Sequence, residues 1–310
     1  MILCIGTTPA AQRVMAFRRL VVDAVNRAVT TLDGAAGKSV NVAKVLKALG
    51  ERPFAAGFLG GDRGDHIRAT LEARGIECDF VTVPARTREC VTLIDESAGT
   101  HTELVEESAP VAPADYEQLL AILRARTPGC RAVVMSGSLA PGGPADLYAR
   151  CVQLARAAGA LSITDAQGPP LLAALGARPG LVKPNRHELA ATAGRELKDD
   201  ADVKSAMRAL GDRGAERVVV TSGKDSVLAF DGRTFWRAEP PRIAAVNPIG
   251  SGDAFTAGLV WRLLKGDDLG ESCRWACASG AANALTLMAG EVEKRDVDRL
   301  AMDVGVCREQ

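Results

Sequence analysis

In the central and carboxy-terminal parts of the chain, short apolar runs alternate with stretches whose apolar residues recur at helical spacing. Residues 132–135, 161–164, 181–182, 217–221 and 227–230 read as buried strands, and residues 145–158, 188–193 and 203–210 as amphipathic helices. Strands alternating with helices predict a mostly parallel sheet covered on both faces. Four of these predicted strands end in a polar or glycine-rich loop: Ser136-Gly137-Ser138, Asp165, Lys183-Pro184-Asn185 and Thr221-Ser222-Gly223. In open α/β sheets, loops at the carboxyl ends of strands build the ligand site.

The first third has a different texture. Residues 37–49 form a turn entering a helix, with Val42, Val45, Leu46 and Leu49 at i, i+3, i+4 and i+7. Residues 13–33 mix apolar and charged side chains without helical period. Residues 90–95 and 102–106 are β-rich runs separated by a turn at Gly99. These pieces predict a small sheet projecting from the main body, either a lid over the site or an ordinary edge extension. The whole chain, 1–310, then reads as one α/β domain with lid segments near 10–35 and 87–108.

Composition narrows the function classes. Of 310 residues, 47% are hydrophobic and 25% charged, enough for a large core. Lys and Arg total 38, as do Asp and Glu, so no net field favours nucleic acid or an anionic membrane. No apolar run reaches the roughly 18 residues of a membrane span. The first residues, Met-Ile-Leu-Cys-Ile-Gly, read as a strand rather than a signal peptide, so a cytoplasmic protein is expected. Eight cysteines are scattered; Cys273 and Cys277 are four apart but have no His beside them, and no C-x-x-C occurs. Reduced, buried thiols are expected rather than a zinc site.

Candidate chemistry concentrates in Asn247-Pro-Ile-Gly-Ser-Gly-Asp-Ala-Phe-Thr-Ala-Gly258. Gly250 and Gly252 allow close backbone approach, and the helix that follows presents free N–H groups and the positive end of its dipole. Asp253 at this junction has two readings. It caps and complements the helix, or it takes a proton from an alcohol while the amides stabilise a transferring phosphoryl group. Asn185 and Glu188 pose a similar choice. Spaced three apart after a strand, they are a helix cap with a dipole-complementing Glu, or they share a face that holds a hydrated Mg²⁺.

The pieces Gly37-Lys-Ser-Val-Asn41, Thr87-Arg88, Ser136-Gly-Ser-Leu-Ala-Pro-Gly142, Lys183-Pro-Asn-Arg-His-Glu188 and Gly250-Ser-Gly-Asp253 occur in that order. In this order the chain resembles the ribokinase-like sugar kinases. Within them it resembles the phosphofructokinase-B branch, which includes 1-phosphofructokinases and tagatose-6-phosphate kinases. The resemblance implies a three-layer α/β/α domain with a small β-lid, ATP as donor and Mg²⁺. It implies Asp253 as the base, with Gly250, Ser251 and Gly252 as the anion hole. It places Asn185 and Glu188 at the metal, through water, and Thr221, Ser222 and Gly223 at the nucleotide. Asn283 would border the adenine. Gly37, Lys38 and Asn41 would meet the acceptor, with Arg88 and Ser138 on a phosphate already present on it.

Four positions depart from the branch pattern. Gln12 stands where the branch has an Asp that grips sugar hydroxyls, Ser39 follows Lys38 in place of glycine, Cys90 replaces an Asn, and Ser226 replaces a glycine of the nucleotide loop. Three of the four lie on the acceptor side. The expected activity is ATP-dependent phosphorylation of a ketohexose monophosphate, of the fructose 1-phosphate or tagatose 6-phosphate type. The alternatives are a kinase of an unphosphorylated sugar or nucleoside, and a non-catalytic nucleotide or sugar-phosphate sensor. A homodimer joined through the lid is also expected.

Overall fold

A computed structural model describes residues 1–309. In chain order its strands are β1 (Ile2–Gly6), β2 (Ala10–Phe17), β3 (Thr30–Ala36), β4 (Pro53–Leu59), β5 (Glu77–Thr82), β6 (Arg88–Asp95) and β7 (Thr100–Val105). They continue as β8 (Ala132–Ser136), β9 (Leu161–Asp165), β10 (Leu181–Val182), β11 (Val218–Ser222), β12 (Asp225–Phe230), β13 (Phe235–Glu239) and β14 (Gly305–Glu309). Ten of them form one sheet in the order β14-β13-β12-β11-β10-β9-β8-β1-β4-β5. From β11 to β5 every pairing is parallel, and β12, β13 and β14 add an antiparallel edge.

The continuous apolar runs of β1, β4 and β8 are buried along their whole length, as a sheet covered on both faces requires. On one face pack the helices Lys38–Ala48, Ser251–Leu263 and Leu269–Ala284; on the other pack Pro113–Arg126 and Leu147–Ala157. The α/β class expected from the sequence is the class observed. The sequence reading passes over β4, β5, β13 and β14. No helix is long and apolar enough to cross a membrane among the described residues.

The remaining strands form a separate sheet in the order β3-β2-β6-β7. It is antiparallel except for the β2–β6 pair. Val14, Ala16 and Ile94 line its inner face and pack against Leu287 and Met288. Thr87 pins its root: the Thr87 amide donates to the Gly60 carbonyl at 2.8 Å, and the Gly60 amide donates to Thr87 Oγ1 at 2.9 Å.

From β1 the chain builds the sheet outward through β4 and β5, then returns to β8 and proceeds the other way. The reversal opens a crevice between the carboxyl ends of β1 and β8, where such sheets bind ligands. Thr7 and Ser138 close its floor, Thr7 Oγ1 donating to the Ser138 carbonyl at 3.1 Å.

Candidate active site

Gly250 begins the turn at φ 84°, a conformation that favours glycine, and a Cβ there would lie 2.7 Å from the Ala289 Cβ. A Cβ on Gly252, by contrast, would meet nothing within 4 Å. Packing therefore demands the first glycine, while the second leaves open space above the helix start. The Ser251 amide donates to the Pro248 carbonyl at 3.1 Å and the Asp253 amide to the Gly250 carbonyl at 3.0 Å. Among the described residues, the amides of Gly250 and Gly252 have no acceptor. The anion cradle is thus narrower than the sequence suggests, because the Ser251 amide is turned inward.

Asp253 is buried directly beneath this cradle. Its Oδ2 accepts from Asn41 Nδ2 at 2.8 Å, and its Oδ1 has no partner among the described residues. Burial raises its carboxyl pKa to about 6, with the nearby Asp165 pushing the same way and Lys38, Asn41 and Lys183 opposing. Such a carboxyl is a better proton acceptor near neutral pH than an exposed aspartate. Asp253 also lies in the first turn of its helix, so the dipole contact foreseen by the capping reading is present, but it makes no side-chain capping bond.

Next to Asp253 lies a charged group whose centre sequence patterning marks only as polar strand ends. Asp165, at the end of β9, faces Lys183 Nζ at 3.2 Å and Lys38 Nζ at 3.7 Å, and accepts from Thr256 Oγ1 at 3.1 Å. Burial pushes its carboxyl up, but Lys183 and Lys38 outweigh that and hold it below the usual range. Asp165 and Lys183 are 18 positions apart and meet because β9 and β10 are parallel neighbours. Their position at adjacent carboxyl ends is the one signal the sequence offers.

Lys38, expected at the acceptor, has its ammonium between Asp165 and Glu188, 3.7 Å from a carboxylate oxygen of each. The Asp165 charge, despite partial burial, raises its pKa above that of an ordinary lysine.

Asn185 caps the helix that follows it. Its Oδ1 accepts from the Glu188 amide at 2.8 Å, and Glu188 Oε2 accepts from the Asn185 amide at 2.9 Å, a complete capping box. The capping reading is therefore what the geometry contains, and it engages the oxygen with which Asn185 would face a metal. Glu188 Oε1 stays clear of the box, with only Lys38 nearby.

Asn283 departs from its expected place. It is fully buried in its helix, away from any surface an adenine could border. Its Nδ2 donates to the Ile249 carbonyl at 2.9 Å and its Oδ1 accepts from the Gly290 amide at 2.7 Å. It braces the Gly250 turn from behind. Asn247 does the same from the front, donating to the Leu287 carbonyl at 2.7 Å.

Thr221, Ser222 and Gly223 lie beside Asn185, joined by a bridge between Asn185 and Thr221, and line an open cavity of about 620 Å³ with His187 and Leu197. Ser226 does not face this cavity's glycine turn freely, since its Oγ accepts from Arg237 at 2.6 Å. Another cleft, of about 590 Å³, lies at the amino ends of the strands beside Arg217 and Asp267. It is remote from the converging loops and carries none of these groups.

On the acceptor side, Gln12 and Cys90 are register partners on the lid and both are buried. Gln12 turns its amide nitrogen to Thr92 Oγ1 at 3.4 Å, and its Oε1 is buried without a partner, as is Asn41 Oδ1. Arg88 directs its guanidinium to the Thr8 carbonyl at 3.0 and 3.2 Å. Ser138 is exposed, its hydroxyl free at the crevice mouth. Gly37 has φ 102°, and a Cβ there would strike Pro9, so it must be glycine for the turn to pass. Ser39 points into the core against Gly6, whose missing Cβ makes room for it. That departure is absorbed by packing.

A buried carboxylate under a helix start, open amides above it and a small sheet across the crevice make up the candidate site on this α/β scaffold. Residues 1–294 match the model of the pfkB family carbohydrate kinases, and the chain belongs to that family. Among solved structures it is similar to a possible 1-phosphofructokinase from Thermotoga maritima, at 25% identity over 100% of both chains with a TM-score of 0.92. It is also similar to Escherichia coli phosphofructokinase-2 in complex with fructose 6-phosphate, at 26% identity over 97% of this chain and 98% of that one, TM-score 0.87. Arabidopsis thaliana ribokinase, at 20% identity over 97% and 98% with a TM-score of 0.76, shares the fold. The protein is a ribokinase-like sugar kinase, a phosphotransferase.

Proposed function

We propose that this kinase transfers the γ-phosphate of ATP to a hydroxyl of a ketohexose monophosphate of the fructose 1-phosphate or tagatose 6-phosphate type. The observation that carries the transfer step is Asp253: buried, with a pKa raised to about 6, one oxygen held by Asn41 and the other free below the open Gly252. Asp253 Oδ1 accepts the proton of the acceptor hydroxyl as its oxygen attacks phosphorus. Asn41 fixes the carboxylate plane, and the Gly250 and Gly252 amides stabilise the charge that develops on the transferring group. Lys38 adds a positive charge at the same edge. The nucleotide lies along Thr221, Ser222 and Gly223.

The donor set also fits Mg²⁺. Glu188 Oε1 is the one oxygen of the capping pair left clear, and Mg²⁺ needs few protein ligands because it keeps its waters. Bound there, the ion would neutralise phosphate charge; Glu188 would hold it through water, and Asn185 would act only by orienting Glu188.

The ketohexose phosphate reading is supported by Arg88 at the crevice and by the phosphofructokinase relatives. The engaged state of the Arg88 fork favours a second reading, an unphosphorylated acceptor. ADP release measured across a panel of sugars and sugar phosphates tests both. Turnover with a ketohexose phosphate at the lowest KM is expected; a lower KM for an unphosphorylated sugar or a nucleoside overturns the first reading. Absence of turnover with any acceptor would favour a sensor.

Eight free cysteines, seven of them at least partly buried, support a reducing, cytoplasmic setting. Val22 and Val25, exposed at the tip between β2 and β3, with Leu104 and Val105 on β7, support a second copy against the lid. A monomer at micromolar concentration in sedimentation would contradict the dimer.

A further inference from the structure

The Lys38–Ala48 helix is apolar on its buried side except at three positions, Ser39, Asn41 and Lys44. Asn41 holds Asp253. Lys44, three residues on, buries an ammonium almost completely, its side chain only 1% exposed. An ammonium has three N–H donors, and here each has an acceptor. Lys44 Nζ donates to the Ala35 carbonyl at 3.0 Å and to the Ala289 carbonyl at 2.7 Å, and meets Glu291 Oε1 at 3.1 Å. Glu291 is held in turn by Arg74 at 2.8 Å.

The two carbonyls belong to segments that are remote in sequence and frame the site from opposite sides. Ala35 lies at the end of lid strand β3, two residues before Gly37. Ala289 is the residue that Gly250 must avoid, and a Cβ on Gly290 would lie 2.8 Å from the Asn41 Cα. The 289–290 step is therefore wedged between the anion cradle and the residue that orients the base. A buried charge is a poor way to gain stability, since an apolar side chain of similar volume often serves as well. A charge that binds the lid root and the cradle prop together has a use an apolar residue lacks.

We infer that Lys44 is a positioning residue for phosphoryl transfer, a strut that fixes the lid root and the backing of the Gly250 turn to one point. It touches neither substrate. The inference rests on the kinase reading for its kinetic consequence and on the structure alone for its mechanical one.

The test compares Lys44→Met with wild type by steady-state kinetics and by amide hydrogen exchange. Displacing a cradle by a fraction of an ångström acts on the transition state more than on ground-state binding, so kcat should fall about 10- to 100-fold while the KM for ATP stays within about threefold. In the free protein, amides in β3 and in residues 247–252 should both exchange faster, while β9 and β11 stay protected. Glu291→Gln keeps both carbonyl bonds and should leave kcat within about twofold. Should Lys44→Met not fold, Lys44→Gln, which retains donors but no charge, carries the same comparison. Unchanged kcat, or exchange that rises in neither segment, overturns the strut. A loss in Glu291→Gln equal to that in Lys44→Met also overturns it, because ion pairing would then be the cause. If wild type phosphorylates no acceptor, the kinase reading fails, and the exchange comparison still decides the role of Lys44.

Discussion

The asparagines that brace the Gly250–Asp253 turn have both ends of their amides paired within the protein, whereas Gln12 on the lid and Asn41 facing it beside Asp253 each keep a buried oxygen with no partner. Asn283 and Asn247 brace the turn through five hydrogen bonds to backbone or hydroxyl groups on either side of it, and Asn41 holds Asp253. Across the crevice, Gln12 Oε1 is buried and unpaired. The contrast reflects what each region must do. A cradle for transferring charge works by being organised before the reaction. A recognition surface needs groups whose hydrogen bonds are completed only by the acceptor, at a cost to the free protein of about 1–3 kcal/mol per unpaired group.

The largest effect that would break this comparison lies at Asp253. Asp253→Asn removes the base and should lower kcat by about 10²–10⁴-fold, read as ADP release with the best acceptor. The same change should stabilise the protein. Because the folded pKa of about 6 lies above the usual 3.8, the ionised form is disfavoured by folding. That penalty is absent at low pH, grows through the interval between these values, and is complete above about pH 6. At pH 8, denaturant unfolding should show Asp253→Asn more stable by about 1–3 kcal/mol. In wild type, kcat/KM should fall as pH drops below about 6. A variant as active as wild type would remove Asp253 from the chemistry.

The two glycines of the turn should separate next. Gly252→Ala places its Cβ in open space within a helix, so stability should hold or rise by about 0.5–1 kcal/mol. Turnover should still fall, by about 10²-fold, because the methyl enters the space over the cradle. Gly250→Ala must clash with Ala289 at positive φ and should cost about 1–3 kcal/mol. If both substitutions destabilised equally, Gly252 would be a packing glycine and not part of a cradle.

On the acceptor side the effects should be smaller and appear in KM. Arg88→Ala should raise the KM of a phosphorylated acceptor about 10- to 100-fold, since a charge-assisted hydrogen bond contributes about 1.5–3 kcal/mol. An unchanged KM would leave Arg88 as a brace for the Thr8 carbonyl. Gln12→Leu removes an unpaired buried oxygen, so thermal stability should not fall, while the KM of the acceptor rises about threefold to tenfold. A clear loss of stability with unaltered KM would mean that Gln12 serves the lid and not the ligand.

Much of the site was legible because its motifs are local. Gly250 to Asp253 carries its turn, its helix start and its acid within four positions, and Asn185 to Glu188 contains a whole capping box. What local spacing could not show was which of two uses each atom serves. Asn185 and Glu188 suit a metal and a cap equally well in sequence; only the 2.8 Å contact from the Glu188 amide shows the Asn185 oxygen engaged. Asn283 reads as a helical polar residue, and its direction toward the turn depends on how two helices pack. Ser39 departs from a glycine pattern, yet Gly6, 33 positions earlier, makes room for it.

The sequence by itself determined the alternation of strands and helices and the kinase class, because period, turn chemistry and short motifs are properties of neighbouring residues. Tertiary structure alone decided the charges around Asp253. Asp165 meets Lys183 because β9 and β10 are adjacent, Lys38 reaches both Asp165 and Glu188 from a helix start, and Lys44 joins Ala35 to Ala289 across 254 positions. Such contacts are set by strand order and helix packing, which no local spacing encodes.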